Sequence, residues 1–355
     1  MDVFSILKTA TKMGASDIHL SVGSPPVFRI TGKLIRWTDN GKIEPLSRHD
    51  TMEAVRALMD EEQFITWQEK GEVDFSYSLS GVGRFRINTF RQRGCPSLAI
   101  RPVPHEIPSI ESLGIPKAVA ELSEKNSGLV LVTGPTGCGK STTLAAVIDL
   151  INSNKEKHII TIEDPIEYLH HHKKGLIDQR ELGADTYSFA GALRACLRQD
   201  PDVILIGEMR DLDTISTAIT AAETGHLVFS TLHTINTAQS IERIIDVFPP
   251  SQQEMIKIQL STTLQAIVTQ QLLPHVSGTK RVLACEVMLA IPAIRNLIRE
   301  GRIHQIPTVL QTGGRWGMQT MDQSLRELVH SDKITLDTAL QFCFDRENFM
   351  RFMSE

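Results

Sequence analysis

The stretch GPTGCGKSTT, Gly134 to Thr143, constrains this chain more than any other feature. An apolar run, Leu129 to Thr133, precedes it and a helix-like run, TTLAAVIDLI, follows. In that setting GxxxxGK[ST] is a phosphate-binding loop: its glycines let backbone N–H groups approach phosphate oxygens, and the helix N-terminus adds partial positive charge. Gly134, Pro135, Thr136, Gly137, Cys138, Gly139, Lys140, Ser141 and Thr142 are therefore the expected nucleotide-binding residues. Lys140 is expected to reach the β and γ phosphates of ATP, and the Ser141 hydroxyl to ligate Mg²⁺.

The surrounding pattern says what carries the loop. GLVLVT, HIITIE, VILIG and LVFST are short continuous apolar runs separated by turns and helical segments. Such runs predict a parallel sheet covered on both faces by helices. Ligands of open parallel sheets bind beyond the carboxyl ends of the strands. Three of the runs lead there to Glu163, Glu208 and His233, which should gather on the edge that carries the loop. Phosphoryl transfer to water needs such groups, to orient the nucleophile and to steady the departing charge.

Before the loop the pattern differs. DIHLSV alternates, VFRI follows a Pro-Pro turn, and VDFSYSL and RFRINTF flank SGVG as an antiparallel hairpin. A helix-like insertion from Thr51 to about Trp67 interrupts these strands, and the proline-rich RPVPHEIPSIESLGIP reads as a linker. The expected organisation is an α+β domain over 1–100, a linker over 101–116, an α/β domain carrying the phosphate loop over 117–290 and helices over 291–355.

Composition narrows the function. With a net charge of -5 over 355 residues, no general surface for nucleic acid is expected. Cys95, Cys138, Cys196, Cys285 and Cys343 form no CxxC pair, so neither a disulfide framework nor a thiolate zinc site is suggested, and a reducing compartment fits best. The start, MDVFSILKTATKMG, lacks a basic leader, and no apolar stretch is long enough to span a bilayer. A cytoplasmic location is expected, with membrane association only through a partner.

GPTGCGKSTT, TIEDPIE, LIGEMRD and TGHLVFSTLHT together resemble the Walker A, Asp box, Walker B and His box motifs of the secretion ATPase superfamily, hexameric motors of type II secretion and type IV pili. ASDIHL, RFRINTF and LRQDPD also match, so the resemblance runs from about residue 3 to 330. It implies a RecA-like P-loop ATPase domain preceded by a smaller α+β, PAS-like domain and followed by a helical C-terminal extension. By the same resemblance Glu163 is the general base, Glu208 holds Mg²⁺ through water, and His233 senses the γ-phosphate. Arg86 and Arg101 match arginines that the N-terminal domain supplies to the nucleotide. His226 is expected to support structure.

Within the superfamily, assembly and secretion members usually carry a four-cysteine zinc module after the His box. Here QQLLPHVSGTKRVLACEVML holds only Cys285. PAIRNLIREG and TGGRWGMQTMDQSL resemble the C-terminal segments of the PilT-type pilus retraction ATPases. The resemblance thus implies a homohexamer that hydrolyses ATP to power pilus retraction and twitching motility, docked to an inner-membrane platform protein, with a paralogous accessory ATPase as a further partner. The rivals are an assembly or type II secretion motor, a nucleic-acid translocase, and a regulator that binds ATP without hydrolysing it.

Residue by residue, other readings stand beside the family's. PAIRNLIREG reads as an amphipathic helix with Ala293, Ile294, Leu297 and Ile298 inward and Arg295, Arg299 and Glu300 outward. In RFRINTF, Arg84, Arg86 and Asn88 share a polar face that is either solvated or functional. Cys138, where the family commonly has serine, lies by a helix N-terminus that lowers thiol pKa, or is a small filler. His170, His171 and His172 are expected on a solvated loop, and Arg194 and Arg198 on one helix face.

Overall fold

The computed structural model describes residues 2–38, 44–104 and 106–354; His105, inside the expected linker, lies outside the described residues. The chain forms two compact units, Met1–Glu106 with Pro165–Leu169, and Ile107–Asp164 with His170–Glu355.

In the first unit, six strands are described: β1 (Asp17–Leu20), β2 (Val27–Ile30), β3 (Lys33–Arg36), β4 (Glu72–Leu79), β5 (Gly83–Gln92) and β6 (Cys95–Pro102). They form one sheet in the order β3-β2-β1-β6-β5-β4 with every neighbouring pair antiparallel. Alternation sets its faces: Phe85, Ile87 and Thr89 of β5 are buried, whereas Arg86 is exposed. The buried face packs against Val3, Ile6 and Leu7 of the Val3–Lys12 helix and against Ala54, Val55 and Leu58.

The expected single helix from Thr51 to about Trp67 is two helices, Arg48–Leu58 and Glu61–Lys70. The break has a local cause. Asp60 adopts an extended backbone and its side chain accepts from Gln63 N while Gln63 answers to Asp60 N, a capping box that starts a new helix.

The second unit holds β7 (Gly128–Thr133), β8 (His158–Glu163), β9 (Leu176–Glu181), β10 (Val203–Ile206), β11 (Leu227–Leu232), β12 (Leu264–Pro274) and β13 (Arg281–Leu289). Their order is β13-β12-β7-β11-β10-β8-β9, parallel except for β13 against β12. Strands β7, β10 and β11 are buried along their whole length. One face packs Leu131, Ile204 and Val228 against helices that include Leu212–Glu223 and Thr237–Asp246; the other packs Val130, Leu205 and Phe229 against Lys140–Asn154.

The proline-rich stretch from Arg101 to Pro116 does not behave as one linker. Arg101 and Pro102 end β6, and Ile110 and Ile115 are buried in the core of the second unit. Beyond Pro292 the chain forms short helices, and Leu325, Leu328, Ile334, Ala339 and Phe349 cluster with Leu273 and Ala284 at the hairpin of β12 and β13.

Candidate active site

The loop after β7 is shaped by its glycines. Gly134, Gly137 and Gly139 have φ of 137°, 79° and 92°, a region in which side chains are strained. A Cβ on Gly134 would collide with the Gln270 carbonyl and the Cys138 sulfur, so this position has no room for one. Gly139 is the N-cap of the Lys140–Asn154 helix and uses no side-chain cap. The start of that helix therefore meets the loop with no N-cap side chain in the way, the arrangement that favours an anion there.

Lys140 is 8% exposed, and its Nζ donates to the Gly134 and Pro135 carbonyls at 2.7 and 3.1 Å. Burial pulls its pKa down, against the opposing pull of Cys138 and Glu208. A buried ammonium bound by neutral carbonyls is short of anionic partners, which fits a phosphate as its ligand. Gly137 and Ser141 are exposed, and Thr142 is half-buried.

Of the two readings of Cys138, the structure favours the small filler. It is 3% exposed, and burial pushes its pKa up more strongly than Lys140 and the helix start pull it down. The thiol at this position is a filler beneath the loop.

The strand ends bring three expected residues into this neighbourhood. Glu208 follows β10 and His233 follows β11, the strands adjacent in the sheet, and His233 Nε2 lies 3.5 Å from Glu208 Oε2. Arg210 Nε holds the other oxygen, Oε1, at 2.6 Å. The Glu208 side chain is 14% exposed and acts electrostatically on Lys140, so the carboxylate faces the loop's cation.

Glu163 ends β8, the next strand. Its Oε1 accepts from Thr161 Oγ1 at 2.7 Å and from Gln179 Nε2 at 3.1 Å. Gly207 N bonds to Ile162 O at 2.8 Å, which holds the turn carrying Glu208 against the end of β8. His226 is at the far end of β11, where Nδ1 contacts Ala221 O at 2.9 Å and closes a turn.

Sequence reading had not singled out Thr161, Gln179, Arg210 or Gln270. Gln270 Nε2 bonds to Thr143 Oγ1 at 2.8 Å and ties the loop's helix to β12. Their polarity inside or beside apolar runs was the available signal, and only the fold says which partners they meet.

The two arginines of the first unit are direct partners across β5 and β6. Like charges at opposed positions repel. Asp17, in the ASDIHL segment, relieves one of them: its Oδ1 accepts from Arg101 Nε at 3.0 Å and Nη2 at 2.8 Å. Burial raises the Asp17 pKa, but the bonds from Arg101 and Ser16 outweigh it and hold the carboxyl below its usual range. Arg86 remains exposed on the same face.

The histidine run is not uniformly solvated. His171 and His172 are exposed, but the His170 side chain is only 2% exposed, and its Nδ1 has no hydrogen-bond partner. The helix expected to carry both Arg194 and Arg198 stops at Cys196, so Arg198 lies in the turn after it. Arg295 also turns inward, as its Nη1 donates to Ser261 O and Thr262 O at 2.8 and 2.7 Å. Ala293, expected inward, is exposed. Among the described residues no helix is long and apolar enough to cross a membrane.

Comparison with known proteins identifies relatives along the whole chain. The type II/IV secretion system protein family matches residues 2–338. The type IV pilus retraction ATPase PilT of Pseudomonas aeruginosa is 46% identical over 349 residues, covering 98% of this chain and 100% of that protein. The type IV pilus ATPase PilU of the same species is 40% identical over 353 residues, covering 99% and 91%. A crystal structure of the pilus retraction motor PilT with bound ADP superposes with a TM-score of 0.92 at 49% identity and covers 99% of each chain.

Proposed function

The chain belongs to the type II/IV secretion system protein family, and from that premise we propose that it is an ATP-hydrolysing motor that powers type IV pilus retraction. The observation that carries this reading is the meeting of Lys140, Glu208 and His233 at one sheet edge, in a chain similar to a retraction motor along its whole length.

In this reading the loop from Gly134 to Thr142 binds the phosphates of ATP through its backbone N–H groups. Lys140 exchanges its loop carbonyls for phosphate oxygens, a stronger charge-assisted pairing. Ser141 and Glu208 are the residues that would hold Mg²⁺, whose hard oxygen preference their donors fit and whose charge would offset that of the phosphates. Glu163 orients and deprotonates the attacking water, held in place by Thr161 and Gln179. His233, linked to Glu208, senses the γ-phosphate. Arg86 and Arg101 supply positive charge to the departing phosphate.

Hydrolysis drives hinge motion between the domains of a homohexamer, and that motion acts on a pilus platform protein in the inner membrane. The motor works at the cytoplasmic face, and a paralogous pilus ATPase is its accessory partner.

The test is Glu163→Gln. We expect ATP binding within about threefold of the parent and turnover lower by about 10²-fold or more, because only transition-state assistance is removed. Cells carrying the variant should bear many pili that extend and do not shorten. Bald cells would instead mark a motor that builds the fibre, and unchanged turnover would remove Glu163 from the role of base.

A further inference from the structure

Glu286 lies on β13 and is half-buried there. It stands opposite Thr269 of β12, whose hydroxyl bonds at 2.8 Å to Thr133, the last residue of β7 before the phosphate loop. Its Oε1 accepts from Thr237 N at 2.8 Å, and the Met321–His330 helix packs on the same strand, where Ser324 Oγ accepts from Cys285 N at 3.1 Å.

Thr237 is the first residue of the helix Thr237–Asp246. The cap leaves its N–H group over, since Asn236 serves Gln239 N. The carboxylate thus closes the start of the Thr237–Asp246 helix and meets the positive end of its dipole. Burial raises its pKa, against those bonds. A charge taken partly out of water is costly to keep, and a neutral side chain could accept the same bonds.

The helix at Thr237 begins four residues after His233. The connecting residues are tied to that helix itself: Thr234 Oγ1 to Ser240 Oγ at 2.6 Å, and Ile235 N to Gln239 Oε1 at 3.2 Å. Connector and helix start therefore move together, and Glu286 fastens them to β13.

We propose that Glu286 is a positioning residue for His233, clamping the helix start behind the His233 loop to β13, the strand on which the Met321–His330 helix packs. The placement of His233 at the nucleotide site is then set in part by the C-terminal helices. This rests on the γ-phosphate reading of His233.

Two variants test it. Glu286→Gln removes the charge and keeps the shape. Thr237→Pro removes the donor, and proline suits a first helical position when the preceding residue is extended, as Asn236 is at φ -152° and ψ 167°. ATP turnover and competition between adenylyl-imidodiphosphate and ADP are measured for each, with melts to verify folding. We expect kcat to fall about tenfold with KM within about threefold, and preference for the triphosphate to fall similarly, as for loss of a charged hydrogen bond.

Adding His233→Ala to Glu286→Gln should cost no more than His233→Ala alone. Losses that multiply, or a lower melting temperature with triphosphate preference intact, would overturn the clamp. A silent His233→Ala would overturn the sensor reading and the clamp with it; an active His233 effect beside a silent Glu286→Gln and Thr237→Pro removes the clamp alone.

Discussion

At the scale of single residues, burial decides chemistry that sequence neighbours suggest differently. Cys138 has a helix start beside it, yet desolvation wins and the thiol is pushed up. His170 sits among histidines and lysines, yet its ring is enclosed. Burial, assisted by Lys173 and His171 and opposed by Asp149, lowers its pKa from 6.5 to about 4. The consequence has a definite sign. Between these values the unfolded chain binds a proton that the folded chain refuses, so stability falls as pH drops from 6.5 toward 4 and levels off below. The full loss is about 3 kcal/mol at 1.4 kcal/mol per pKa unit. Replacing the ring with a non-titrating one, His170→Phe, should therefore remove this part of the acid destabilisation. Denaturant melts of parent and variant at pH 7 and pH 4.5 read it directly: the gap between them should change with pH, and parallel curves would show that His170 protonates freely in the fold.

At the scale of elements, the apolar runs were legible because sheet interior is nearly all they encode: GLVLVT, HIITIE, VILIG and LVFST fall on β7, β8, β10 and β11. Strands at the sheet margin were not. In β9, LIDQRE buries only Ile177 and Glu181 fully, so its polarity reads as loop. Strand β12 follows the helix Pro250–Thr263 with no glycine or proline between, and its continuation looks like more helix. Glu163, Glu208 and His233 were visible as polar residues at the ends of apolar runs. Gln179 and Glu286 were not, since each acquires meaning from a partner distant in sequence. Arg295 is the clearest reversal: helical periodicity put it outward, but it meets the last carbonyls of the Pro250–Thr263 helix, which have no partner within that helix. Arg295→Ala should cost about 1–3 kcal/mol, the range for hydrogen bonds from a charged donor to half-buried carbonyls. Thermal melts should show it as a drop of a few degrees, with ATP turnover per folded molecule preserved. A variant that melts like the parent but cannot retract pili would move Arg295 from helix capping to partner contact.

At the scale of the whole molecule, the residues of the proposed chemistry are distributed over two compact units. The phosphate loop and its carboxylates belong to one; Arg86 and Arg101 belong to the other, opposed across β5 and β6. Within the first unit two like charges stand opposed; Asp17 binds Arg101, and among the described residues no equivalent bond to Arg86 relieves the second charge. A sheet selected for stability alone has no use for that arrangement, whereas a sheet that meets a nucleotide during the cycle does. Arg86→Ala therefore separates two accounts. If the side chain is a solvated surface group, its loss changes stability by no more than about 0.5 kcal/mol and leaves kinetics alone. If it steadies transition-state charge, turnover falls by about 10²-fold or more while the affinity for ATP stays within about threefold, since arginine of this kind acts on charge that develops during transfer. Steady-state ATPase rates together with equilibrium nucleotide binding distinguish them. We expect the second pattern, with the melting temperature equal to or slightly above the parent's because a repulsive pair is gone. Parallel losses in binding and turnover would remove Arg86 from the chemistry and leave the positive charge to Arg101 and the phosphate loop's own unit.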